Sequence, residues 1–482
     1  MITLVALKEF KEIRRDGRFI WSALILVVLL VSAMGFGAQR YADNRAQRLA
    51  AEQEDRSAWL EQGKKNPHSA GHYGVYAFKP ATPLALFDPG YDDYTGVLQL
   101  LEAHKENQSS YKPAADATAL QRFGDLSGAR VLQILVPMLV FLMGFGLIAA
   151  EREEGTFRQL LSIGVPQRTL VWGKALGMAL AIGTVFVPAI LVGGAAAWFM
   201  TQQGDPHEIA GLGLKVALLA GCYLMFFATL ICIALSASLA SRSSASALVA
   251  LVAFWIVAAI LTPRIGAEVA KRAYPTPSVF ELSSAIAKDL QAGPRAHEPT
   301  HPNHVKFRDD LLRQHHVDRI EDLPFNFIGY AMQQEEDFGN AVFDRHYGAV
   351  RQQFERQETL QNSFALLSPF VAMKALSAAL SGTDIAFAND FSQAGETYRR
   401  EMIRVLNDDI MRNAVGLTTF STEWGYQASA DLWQRIPPFD FDPPTAGTIL
   451  ERNLVPLALL MVWFMGGILG LGALARRSPR VA

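Results

Sequence analysis

Apolar residues along this chain gather into six uninterrupted runs, and the polar segments between them are either very short or very long. The runs occupy residues 19–38, 131–150, 174–200, 214–240, 245–263 and 454–475. Each comes close to or exceeds the roughly 20 residues that carry a helix across a hydrocarbon core of about 30 Å. The expected fold is an all-α polytopic membrane protein with six transmembrane helices and two external loop domains. Ahead of the first run, residues 1–18 interleave Leu4, Leu7, Phe10 and Ile13 with Lys8, Lys11, Arg14 and Arg15. That pattern suits a basic amphipathic helix lying in the membrane interface. A cleavable signal peptide fits less well, because the basic segment is long and further spans follow.

The first long segment, residues 39–130, opens with a charged helical pattern from Arg40 to Gly63. Its remainder is dense in aromatic, Gly and Pro residues, as in Asn66–Pro80 and Leu86–Tyr91, which predicts ordered, turn-rich structure. The second, residues 264–452, is large enough to be a domain and mainly helical, with helical patterns over Val279–Gln291, Tyr330–Phe364 and Asp384–Val415. Pro437–Pro444 then predicts a stiff, extended linker. The short segments are the hairpin 151–173, the loop 201–213 with Asp205-Pro206, the turn Ser241–Ser244 and the tail 476–482. Small residues are frequent in the spans, and Gly466 and Gly470 in the last one allow close helix approach within or between subunits.

Basic residues of the short segments fix the expected orientation. The N-terminus, Arg152, Arg158, Arg168 and Lys174 of the hairpin region, Arg242, and Arg476, Arg477 and Arg480 fall on one side, which is then cytoplasmic. Both long segments fall outside, and both termini inside. Composition agrees: 50% of residues are hydrophobic and 19% charged, below the roughly one quarter usual in soluble domains. Cys222 and Cys232 share one apolar run, about 15 Å apart on a helix, so they do not bridge and the long segments contain no disulfide. No basic, aromatic stripe points to nucleic acid.

The hairpin carries the most specific pattern. In Glu151–Pro166, Gly155 and Thr156 can open a short helix with Thr156 as its N-cap. Phe157, Leu160 and Leu161 then share one face, Arg158 and Gln159 another, and Pro166 closes the turn. The stretch resembles the segment between the second and third spans of ABC-2 type transporter permeases. The matching positions are Glu151, Arg152, Glu153, Gly155, Thr156, Arg158, Leu160, Leu161, Pro166, Gly173 and Lys174. Both long segments also look like one bacterial subgroup of that family, of unassigned function, through Asn66–Pro80, Glu321–Asn326, Val342–Tyr347, Leu366–Pro369 and Leu380–Asp384.

The resemblance implies an export-type permease of the bacterial inner membrane whose hairpin is the coupling helix. A separate ABC ATPase would dock on Glu151, Arg152, Glu153, Gly155, Thr156, Phe157, Arg158, Leu160, Leu161 and Pro166. ATP and Mg would bind in that partner, with no cofactor in this chain. A second permease subunit, identical or related, would pair with this one, and a periplasmic partner would meet the external domains. The sequence has no Gly-x-x-x-x-Gly-Lys-Ser/Thr loop; Gly164 to Lys174 has the wrong spacing. The chain itself is therefore not expected to hydrolyse ATP.

Two other readings compete. His297-Glu298-Pro299-Thr300-His301 matches the His-Glu-x-x-His pattern of zinc peptidases, whose chemistry needs one helix face. Pro299 and Pro302 argue against that helix and favour a polar loop. His68 and His72 are four apart, yet Gly71 and Gly74 argue against a helix presenting both, so no metal site is expected. Glu335-Glu336-Asp337 reads as a solvated helical face. The last alternative is a non-transporting sensor or scaffold.

Overall fold

A computed structural model describes residues 1–118, 126–201, 211–417 and 425–476. The Asp205-Pro206 turn and the tail residues Arg477 and Arg480 lie outside the described residues. All six apolar runs are helical, and most helices outrun the apolar stretch that announces them. The spans are Gly17–Leu60, Gly128–Glu153, Gln167–Thr201, Leu212–Ala240, Ser244–Ala273 and Leu454–Arg476. Asp16 caps the first by accepting from the Arg18 backbone N–H, and the helix runs without a break into the charged Arg40–Gly63 pattern. The third begins at Gln167, ahead of the expected start at Lys174.

Proline shapes the second and fifth spans. A π turn at Val131–Leu135 precedes Pro137, and another at Ile256–Leu261 precedes Pro263. The proline ring removes one N–H and crowds the carbonyl one turn earlier, and a widened turn relieves both. Lower in the second span the helix opens into turns before Ala149. There Ser238 Oγ of the fourth span accepts from the backbone N–H of Ile148 (3.1 Å) and Ala149 (3.0 Å). Ser238 thereby satisfies donors that lipid cannot.

A seventh helical stretch, Pro369–Asn413, is also long and apolar enough to cross, with 72% of its apolar window buried inside the protein. It bends at Gly382, whose φ is +67°. Its first part, Pro369–Ser381, has 13 residues and is about 20 Å long, short of a crossing. It packs between the fourth and sixth spans. Ser368 Oγ donates to Ala258 O (2.6 Å), and Trp463 Nε1 donates to Ala365 O (2.8 Å). Trp463 lies about 14 Å along the sixth helix from Leu454, so the chain re-enters the bundle there and turns back. At the far end of this re-entrant helix, Gln133 Nε2 donates to Tyr223 Oη (2.9 Å) and Tyr223 Oη meets Ser377 Oγ (3.3 Å). Ser377 donates to Asp88.

Outside the bundle, the two long polar segments share a core. Trp59, Ala70, Val75 and Leu101 of the first pack with Phe387, Phe391, Ile403, Leu406 and Trp433 of the second. The first contributes an antiparallel sheet, β1 (Val75–Phe78), β2 (Leu98–Glu102) and β3 (Lys105–Glu106), in the order β1-β2-β3. The second contributes Val279–Leu290, Pro302–His315, Phe327–Ser363 and Ile385–Asn413. The 437–444 stretch has no regular secondary structure, and it packs rather than spanning freely: Phe439 and Phe441 stand edge-on to Phe391. Arg399, fully buried, donates to Glu396, Glu336 and Asn340. Glu336 is buried rather than solvated, which overturns the sequence expectation for Glu335-Glu336-Asp337 at that residue.

Candidate functional site

The hairpin gathers helix ends, and helix ends leave backbone groups without intrahelical partners. Its acidic and basic residues answer that demand. Arg152 Nη1 and Nη2 donate to Ser241 O (3.0 Å) and Leu239 O (2.9 Å), capping the fourth span. Glu153 accepts from the Ser244 backbone N–H (3.1 Å) and Oγ (2.7 Å), at the start of the fifth. Glu151 Oε1 accepts from Lys174 Nζ of the third span (2.8 Å), and the same ammonium donates to Glu9 Oε2 (2.8 Å). Lys8 Nζ lies 3.8 Å from Glu151. The Glu-Arg-Glu triplet thus clasps the second, third, fourth and fifth spans together.

Glu9 belongs to the amphipathic helix Ile2–Arg15. It crosses the third span where Gly173 and Gly177 leave room. A Cβ on Gly173 would stand 2.5 Å from Val5 Cβ, and one on Gly177 would stand 2.7 Å from Ala6 O. Lys174, 2% exposed, is therefore sealed between two helices and the hairpin. Burial pushes the Glu9 carboxyl up, against the pull of Lys174 and Lys8. Gln167 Nε2 donates to Leu474 O (3.4 Å), which brings the end of the sixth span to the same end of the bundle.

The hairpin helix is Thr156–Ser162, and two sequence expectations are corrected here. Gly155, at φ +81°, is the N-cap, a conformation that favours glycine; Thr156 is the first helical residue, and its Oγ1 donates to Glu151 O (3.0 Å). Pro166 does not close the helix. Gly164 does, at φ +89°, with Val165 N–H bonding Leu160 O and Gly164 N–H bonding Leu161 O. That is a Schellman ending, and Pro166 instead accepts from Thr169 and Leu170 as the next helix starts.

The apolar face of this helix points inward. Phe157 is 2% exposed beneath the Arg152 guanidinium, and Leu160 and Leu161 are half-buried against the bundle core. The outward face carries Glu154, Arg158, Gln159, Ser162 and Ile163, the last 75% exposed. The sequence pattern gave no sign that Ile163 breaks the apolar stripe.

In the sixth span, Gly467 packs on Cys232, whereas Gly466 and Gly470 have no atom within 4 Å of an added Cβ. They line an open apolar groove with Ile233, Leu459, Val462 and Trp463. The His-Glu-x-x-His stretch is a loop, as its prolines predict. His301 caps Pro302–His315 by accepting from Asn303 N–H, and Glu298 pairs with Arg295. Neither joins His297 in a zinc-peptidase face. His68 and His72, by contrast, do share a helix, Pro67–Tyr73, against the expectation from Gly71 and Gly74. Asn66 accepts from the N–H of His68 and Ser69, Pro67 occupies the first turn, and Gly74 ends the helix.

Residues 3–399 match the family described as ABC-2 family transporter protein. No curated protein matches the chain.

Proposed function

The chain belongs to the ABC-2 transporter family, as a membrane permease of an ABC transporter, and from that premise we propose that it couples a separate ATPase to export across a bacterial inner membrane. The end of the bundle holding the hairpin, the N-terminal helix and the last turn of the sixth span faces the cytoplasm in this reading, and the joint external domain faces the periplasm. The ATPase meets the outward face of Thr156–Ser162 and the Ile163 tip. A push there is delivered through the clasp to the ends of four spans and to the N-terminal helix. The single observation that carries this reading is Lys174, sealed between Glu9 and Glu151. An ion pair buried across three elements ties them into one moving unit. Two permease subunits pair along the sixth span, where Gly466 and Gly470 leave the groove open.

The test is purification of the tagged chain from its native host in mild detergent, with mass spectrometry of co-purifying proteins. A P-loop ATPase is expected, and Arg158→Glu with Ile163→Asp should release it without lowering permease yield. Recovery of no ATPase, or equal recovery with the doubly changed outward face, would sink the coupling role.

A further inference from the structure

Four histidines from both long polar segments converge on one point in the external domain. His68 and His72 stand one turn apart on Pro67–Tyr73. His104 occupies the turn between β2 and β3 at φ +65°, a left-handed conformation uncommon outside glycine. His297 comes from the loop before Pro302–His315, 229 residues from His68 in the chain. One ring nitrogen from each lies within 4.8 Å of all the others. His68 Nε2 is 2.7 Å from His297 Nε2 and 2.9 Å from His72 Nε2.

Hydrogen-bond accounting shows what this geometry lacks. His297 Nδ1 is 3.2 Å from Glu335 Oε2, and His104 Nδ1 is 2.9 Å from Glu336 Oε1. An ionised carboxylate only accepts, so both Nδ1 atoms carry the hydrogen and both Nε2 atoms are bare lone pairs in the neutral rings. Glu336 also accepts from Arg399 (3.0 Å) and from the His104 backbone N–H (2.6 Å), as such an acceptor does. A hydrogen on His68 Nε2 can serve His297 or His72, not both. His104 Nε2 is buried with no hydrogen-bond partner at all. Converging lone pairs of this kind repel one another unless a cation lies among them.

We propose that His68, His72, His104 and His297 bind one divalent transition cation of the zinc class. Four imidazoles suit a borderline metal, whereas calcium and magnesium take oxygen ligands. Tetrahedral bonds of about 2.0–2.1 Å set nitrogens about 3.3 Å apart, within the range already spanned by the four rings. Glu335 and Glu336 orient two of the rings through their far nitrogens, as carboxylates do behind metal-bound histidines. Their two negative charges also balance the cation. Glu335 is fixed in turn by the Ala296 backbone N–H (3.1 Å), and Glu336 by Arg399 (3.0 Å) and the His104 backbone N–H (2.6 Å). Three ligands come from the first segment and one from the second, so the cation fastens the two together. The exposed rings of His72 and His297 give it a way in.

The experiment uses the full chain, stripped with chelator in detergent and titrated with zinc. One zinc per chain is expected, with X-ray absorption showing imidazole nitrogens at about 2.0–2.1 Å. His72→Asn with His297→Asn should abolish retention, and Glu335→Gln should weaken affinity by about 10-fold or more. His301→Asn should change nothing. Unfolding in chelator, equal for the wild type and the His72→Asn with His297→Asn chain, checks that the substituted chain folds. Equal zinc in the doubly substituted chain, no retained zinc in the wild type, or an absorption spectrum without imidazole would each overturn the site.

Discussion

Replacing Lys174 with methionine keeps the apolar stem and removes only the charge. In the native protein that charge lies 2.8 Å from both Glu9 and Glu151. At an effective dielectric of about 20, each contact is worth about 6 kcal/mol of attraction, most of which is offset by desolvating the three groups. Deletion of one partner is a different matter, because it strands buried charge, and the usual cost is about 3–5 kcal/mol. Glu9 bears most of it, at 3% exposure, while Glu151 retains access to water and to Lys8. Adding Glu9→Leu to Lys174→Met removes the stranded carboxylate and should recover roughly half the loss. Tryptophan fluorescence during denaturation in detergent would measure the four members of this cycle, with an expected coupling of about 0.5–3 kcal/mol. The deficit of the single variant should also grow with pH. Without Lys174, burial raises Glu9 further, and an acid raised in the folded state costs stability as pH climbs from its unfolded value to its folded one. Lys174→Met should therefore suffer less at pH 5 than at pH 8. A single variant as stable as the wild type, or a second substitution that merely adds to the loss, would refute the clasp.

Two further outcomes follow from the external domain. Arg399→Met leaves Glu396 and Glu336 without their shared cation and should destabilise that domain by about 3–5 kcal/mol, read as faster proteolysis of the 385–413 helix. Burial, with Asp384 and Glu355 nearby, holds Glu358 up at about 7. The folded state then binds the proton more tightly than the unfolded chain, so stability falls as pH rises from about 4.5 to 7. Glu358→Gln should flatten that profile and gain on the order of 2 kcal/mol at pH 8, measured by denaturation midpoints across pH.

The spans were legible because lipid admits only long apolar helices, and such runs announce themselves without any knowledge of neighbours. The re-entrant helix was not, since 13 residues with Lys374, Ser377 and Ser381 look like any half-polar domain helix. Its burial comes from the fourth and sixth spans. In the hairpin, the residue pattern gave the short helix but not which side is free. Phe157 turns inward because the bundle core reaches it, and Glu151, Arg152 and Glu153 are drawn to the helix ends around them. The helix at His68 and His72 did carry a local signal in Asn66-Pro67 and Gly74. Gly71, which counted against it, sits where an added Cβ would stand 3.2 Å from Ile403 Cδ1. His104 and His297 join that helix only through the shared core of two distant segments, and no spacing rule spans 229 residues.

The first span has a mechanical consequence. Its 44 residues form an unbroken rod about 66 Å long, with Phe19, Leu26 and Leu30 embedded in the bundle at its base. Its tip is bolted to the external domain: Arg56 Nη1 donates to Ile436 O (2.9 Å), and Trp59 Nε1 to Trp433 O (3.1 Å). A rod of that length is a lever. A tilt of about 10° at the base swings the far end by about 11 Å. No rearrangement of the bundle that leans this helix can stay confined to the membrane; the outer domain must swing with it or shed its tryptophan anchor.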